Sequence, residues 1–259
     1  MSVNDAVPAE RPARLPFTRR GPFHALVVMV GWLLVSAVAV VLGTVAGLVV
    51  MQADPDDVRS LGFDYPWVVT NALAISAITL ILASLHMGFV VGEGDRRAGL
   101  GNVPIQRPGL MLGLALSATV MTWATASLLG ATDPLNLTGV LESAGADVAP
   151  AWPWLLPVCN AVILVILVPL GDELFLRGWL WVTLRRVWSV PVVIAATALP
   201  FWLLHPDAQW RYLVALIPST LAFSLVRHYC GSVRASVAAH VIHHAISVAL
   251  IFALMALGD

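Results

Sequence analysis

Six apolar runs in this chain contain no Asp, Glu, Lys or Arg: 23–51, 67–92, 109–131, 190–204, 212–226 and 235–257. A seventh, 152–187, is equally apolar but holds Asp172, Glu173 and Arg177 in its interior. The longest runs exceed the roughly 18–20 residues that cross a hydrocarbon core. At 59% hydrophobic and 11% charged residues, the chain is too apolar for a soluble domain of this length. Long continuous runs also exclude a β-barrel, which needs short alternating segments. The expected fold class is therefore all-α: a polytopic membrane helical bundle of about seven transmembrane helices. No internal repeat is visible.

Charge sets the expected orientation. Lysine is absent, and all 14 basic residues are arginines. Arg11, Arg14, Arg19 and Arg20 precede the first run; Arg96, Arg97 and Arg107 separate the second and third. Arg185 and Arg186 end the fourth, and Arg227 and Arg234 join the sixth and seventh. In a seven-span arrangement all of these fall on one side. Acids dominate the other, including Asp54, Asp56, Asp57, Asp133 and Glu142. The positive-inside rule then places the N-terminus in the cytoplasm. Trp67, Trp152, Trp154, Trp188 and Trp210 near span ends fit an interfacial belt. The first run is too long for a cleavable signal peptide and follows a polar stretch. The reading divides the chain into a polar cytoplasmic tail (1–22), an N-terminal three-span region (23–149) and a core (150–259). Cys159 and Cys230 suggest neither a disulfide framework nor a metal knuckle. Gly43 and Gly47 form a GxxxG in the first run, a pattern common in membrane helices. It is read as small-residue packing, with a homodimer left open. The bilayer is an expected partner and nucleic acid is not.

Ionisable groups at membrane depth cost about 2.5–3.5 kcal/mol each on insertion scales and commonly mark function. As one straight helix, 152–187 would be ~50 Å long, against a ~30 Å core. Pro169 and Gly171 predict a kink that absorbs the difference. A turn at Trp188-Ser189 makes the fourth and fifth runs a hairpin. Glu173 and His205 then lie ~22–24 Å above that turn. From the next turn, near Gly231, His240 and His244 lie ~14 and ~20 Å along. Carboxylates and histidines from three segments thus share one layer. Glu173 and Arg177, four apart, share a helix face, and a structural ion pair explains them equally well. Asp172 points ~100° away from Glu173, which leaves it as the functional carboxylate. His240, His243 and His244 are at i, i+3 and i+4. The i, i+4 pair, His240 and His244, can bind metal, stabilise an oxyanion or relay protons. His243 faces a neighbouring direction and is read as supporting; His24, His86 and His228 are read as structural.

Asp172-Glu-x-x-x-Arg177-Gly178, then Phe201-x-x-x-His205, then His240-x-x-x-His244, resembles the EExxxR, FxxxH and HxxxN signature of the CAAX protease and bacteriocin-processing family. These intramembrane proteases are also called Abi or Rce1-type proteins. The resemblance covers roughly 150–257. It implies an intramembrane endopeptidase acting on a membrane-associated protein or peptide. Asp172 and His205 would activate water, and His240 and His244 would stabilise the oxyanion. Glu173 and Arg177 would support the site. Two positions depart from the signature: Asp172 is one methylene shorter than glutamate, and His244 replaces asparagine. No cofactor is required by this reading. The alternative is zinc on His205, His240, His244 and a carboxylate, in line with family members described as metalloproteases. An inactive relative serving as membrane scaffold or bacteriocin immunity protein is the alternative function, and a proton-coupled transporter a third. The absence of inverted repeats argues against the transporter. The alanine-rich, lysine-free composition favours a bacterial plasma membrane.

Overall fold

The computed structural model describes residues 22–50, 66–90, 99, 103–130, 155–203 and 210–258. Three long helices come first: α1 (Pro22–Val50), α2 (Pro66–Val90) and α3 (Pro108–Leu128). The fourth run is composite. It comprises α4 (Leu155–Val162), a π segment (Ile163–Leu167), α5 (Val168–Asp172), a second π segment (Glu173–Leu180) and α6 (Trp181–Leu184). There follow α7 (Val190–Leu203), α8 (Trp210–Ala215), α9 (Ile217–Cys230) and α10 (Val233–Gly258). No strand occurs among the described residues. Pro108–Leu128, Val158–Leu184, Trp210–Cys230 and Val233–Leu254 are long and apolar enough to cross a membrane. Shorter apolar helices span Val27–Gly43, Ala72–Met87 and Val190–Leu199. The protein is a helical membrane bundle, as expected. The tail before residue 22, with Arg11, Arg14, Arg19 and Arg20, and the loop arginines Arg96 and Arg97 on which the expected orientation also rests lie outside the described residues.

At Pro169, where a kink is expected, the helix adopts π geometry just upstream. Proline has no N–H, and its ring crowds the carbonyl four residues back. Just before it, the Val168 N–H bonds the Ile163 carbonyl five residues back. That step widens the helix where the ring needs room, which is how π-bulges accommodate local strain.

The bundle is polar-lined inside and greasy outside. Leu34, Val41 and Leu42 on α1 and Val120 on α3 point outward. Ser84, Thr122, Thr197, Ser219, Thr220, Ser224, Ser236 and Ser247 are all buried. Without a hydrophobic force between helices in lipid, close approach and hydrogen bonding hold such interfaces. Several interior hydroxyls donate to the carbonyl one turn back on their own helix: Thr79 to Ile75, Ser84 to Leu80, Thr197 to Val193 and Ser224 to Thr220. One apolar cluster joins Leu80 and Met87 of α2 to Phe175, Leu176 and Trp179 of the second π segment. Another joins Ala115 of α3 to Phe223 and Val226 of α9 and Ala239 of α10. Gly43 packs against the Ile75 side chain, so it serves packing within the chain. Trp188 and Trp210 are exposed at span ends, as an interfacial belt requires.

Two glycines let backbones meet. A Cβ on Gly171 would lie 2.8 Å from the Ala77 carbonyl oxygen, and one on Gly178 would lie 2.5 Å from that of Gly99. The composite span is thereby pressed against α2 and the segment before α3. At the α9–α10 turn Gly231 adopts φ 69°, the left-handed C-terminal stop that suits glycine. Ser232 then caps α10, accepting from the Arg234 N–H at 3.2 Å as an N-cap residue does. The 103–107 stretch fastens this turn: Ser232 Oγ donates to the Val103 carbonyl (2.7 Å), and the Gln106 N–H to the Cys230 carbonyl (3.1 Å). Both cysteines are free, with Cys230 buried.

Candidate active site

Glu173 opens the second π segment and is fully buried, as is Arg177. One carboxylate oxygen of Glu173, Oε1, receives Arg177 Nη1 at 3.0 Å and faces His240 Nδ1 at 3.0 Å. A carboxylate oxygen only accepts, so His240 carries its proton on Nδ1. On the far side of that ring, His240 Nε2 lies 3.1 Å from His244 Nε2. Two ring nitrogens at that distance share one proton. The chain Arg177–Glu173–His240–His244 is thus continuous through the buried interior. Asp172, also buried, has Glu173 and Arg177 as its charged neighbours.

The surroundings hold this chain in place. Arg177 Nη2 donates to the Thr220 carbonyl (2.9 Å), and its Nε to Ser224 Oγ (3.3 Å). Ser224 Oγ also lies 3.4 Å from Thr197 Oγ1 on α7. Phe223 of α9 stacks on His240 with ring centroids 4.3 Å apart. The Arg177 guanidinium lies 6.0 Å from the centre of the same phenyl ring. Arg227 of α9 donates from Nε to the Arg177 carbonyl at 2.8 Å, satisfying a π-segment acceptor. Buried charge costs several kcal/mol per ion unless neighbours satisfy it, and these contacts satisfy the Arg177 guanidinium and one oxygen of Glu173.

The structure brings together Asp172, Glu173, Arg177, His240 and His244, five of the six residues expected from sequence. His205 lies outside the described residues. Arg227 corrects an expectation. It was read as a loop arginine marking the cytoplasmic side, yet it is a buried part of α9. Thr220, Ser224 and Arg227 follow helical spacing and form one stripe. That stripe is the sequence signal that would have found it. His243 indeed faces a different neighbour from its two companions: its Nδ1 lies 3.0 Å from Thr119 Oγ1 on α3. His86 accepts from Trp32 Nε1 at 2.9 Å, and His228 lies against Trp181 and Tyr229; the side chain of His24 is outside the description.

The donor set partly fits zinc. Tetrahedral ligands at ~2.0–2.1 Å place two nitrogens roughly 3.3 Å apart, close to the separation of the two Nε2 atoms, and Glu173 backs His240 as carboxylates back ligating histidines. Among the described residues, however, no group of three or more such side chains is placed to hold a metal.

Residues 153–246 match the family model described as type II CAAX prenyl endopeptidase Rce1-like. The match covers just over a third of the chain, and this region is similar to that family. The match supports the resemblance carried by the three motifs and contains all six site residues. The family so described is one of endopeptidases. No curated protein matches the chain. No solved structure matches it.

Proposed function

We propose that the protein is an intramembrane endopeptidase that hydrolyses a peptide bond in a membrane-associated protein or peptide. The observation that carries this reading is the fully buried Glu173, gripped at one oxygen by Arg177 and facing His240, inside a bilayer-length span. A mere ion pair does not need a histidine relay behind it. In the proposed reaction Asp172 and His205 take a proton from water. The resulting hydroxide adds to the scissile carbonyl. His240 and His244 share one Nε2 proton; in the proposed reaction that pair opens and the freed N–H is offered to the oxyanion. The proton then passes to the leaving amine as the C–N bond breaks. Glu173 and Arg177 hold the histidines in place. The reading is metal-free. Were zinc bound, His240 and His244 would hold it, and it would supply a more acidic water. Prenylated CAAX proteins, named in the family description, are one substrate class; small peptides are another. The proposed setting is a bacterial plasma membrane with the N-terminus in the cytoplasm.

Two observations favour the inactive scaffold or immunity protein as second reading: aspartate at 172 and histidine at 244, where the family signature has glutamate and asparagine. One experiment separates the two. New protein termini are compared in membranes carrying wild type or Asp172→Ala at matched expression. Termini present only with wild type identify a protease and its substrate. Identical termini, with any phenotype retained by the variant, identify a scaffold.

A further inference from the structure

His240, His243 and His244 lie within five residues of one helix. His240 and His243 differ by only ~60° in direction, and His243 and His244 by ~100°. A modest rotation of α10 would therefore offer Glu173 the wrong imidazole. The pattern is degenerate by itself, and something must tell the three rings apart.

The distinguishing contact comes from α3, before the Rce1-like region. Thr119 Oγ1 lies 3.0 Å from both the Ala115 carbonyl and His243 Nδ1. A hydroxyl has one proton. Thr119 donates it to Ala115, so the bond to the ring requires His243 to carry its proton on Nδ1. His243 is fully buried, and its other nitrogen has no hydrogen-bond partner among the described residues. One turn along, Trp123 Nε1 donates to Ser247 Oγ at 3.0 Å. Both bonds join residues 124 apart in sequence, so α3 and α10 are fastened in one register at two heights. Phe223 passes the constraint on: it stacks on His240 and meets His243 edge-on at 5.7 Å.

We propose that Thr119 and His243 are positioning residues, whose bond fixes the rotation of α10 so that His240 meets Glu173 and His244 meets His240. The assignment deepens the protease reading and rests on it for its catalytic consequence. Its geometric part stands alone. It makes the third span a working part of the site.

The test uses the full chain in lipid nanodiscs with 15N-labelled histidine. In wild type, NMR should find His243 protonated on Nδ1 and His240 Nδ1–H bonded to carboxylate. Thr119→Val keeps the shape but loses the acceptor. It should shift the ring signals of His240 and His244, and Thr119→Ser should restore them. On a substrate recovered from the terminus comparison, Thr119→Val should lower kcat by about 10²-fold, the scale of a small misplacement, with KM unchanged and Thr119→Ser active. Unmoved His240 and His244 signals in Thr119→Val would overturn the proposal. So would a wild-type His243 protonated on Nε2, which decides the matter even where the valine variant does not fold. Shifted signals without cleavage by any form uphold the positioning role and sink the protease reading.

Discussion

The two π segments of the fourth span have the same backbone form and opposite surroundings. Ile163–Leu167 is wholly aliphatic, and of its residues only Leu164 is buried. Glu173–Leu180 buries every residue except Leu174 and carries the ion pair. The first is explained within its own strand of sequence: Pro169 follows and needs space. The second has no proline. It is held from outside, by Arg227 on the Arg177 carbonyl and by the Gly99 backbone against Gly178. A widened turn can therefore be a local concession or a tertiary construction, and only the second kind builds a site.

The comparison breaks most sharply at Arg177. Arg177→Met strips the buried Glu173 of its cation, and losing one partner of a buried pair costs about 3–5 kcal/mol. Ile166→Ala, in the half-exposed first segment, should stay within about 0.5 kcal/mol. Unfolding in detergent micelles measures both, and equal losses would abolish the distinction. A smaller effect is expected at Gly178. Gly178→Ala drives a methyl into the Gly99 carbonyl, and overpacking of this kind costs about 1–3 kcal/mol. A variant as stable as wild type would mean that the second segment is not held by that backbone contact. A still smaller effect than at Gly178 is expected for Pro169→Ala, which should shift stability by no more than about 1 kcal/mol. The new amide at 169 should exchange slowly with deuterium as the first segment reverts to α geometry. The His240 signal at Glu173 should not move. Movement there would show the two segments to be one coupled device.

Much of the architecture was legible because its cause is simple. Apolar runs must be helices in lipid, so the spans could be read directly. Helical rise and turn positions bring carboxylates and histidines to one layer; that Glu173 meets His240 in particular is set by packing. What stayed hidden depends on relations that rise does not encode. Pro169 announced a disturbance, but its presence alone does not say whether the helix kinks or widens. Arg227 sits four residues before the Gly231 turn, where an arginine can face water or turn inward. Its partner, the carbonyl of Arg177, belongs to another span. Thr119 gave no signal, because a threonine in an apolar helix usually bonds its own backbone; this one does so and also serves a neighbour. The pairing of His240 with His244 through Nε2 depends on ring orientation, which spacing does not set.

The fastening of the α9–α10 turn by residues 103–107 has a consequence for biogenesis. Chains emerge N-terminus first and generally fold in that order. Yet the Val103 carbonyl and the Gln106 N–H find their protein partners, Ser232 and Cys230, only after more than a hundred further residues have been made. Until then those groups remain with water. The loop before the third span is thus finished by the start of the last. A ribosome-bound chain arrested before Ser232 would hold its first spans in the bilayer without the latch that sets their final height.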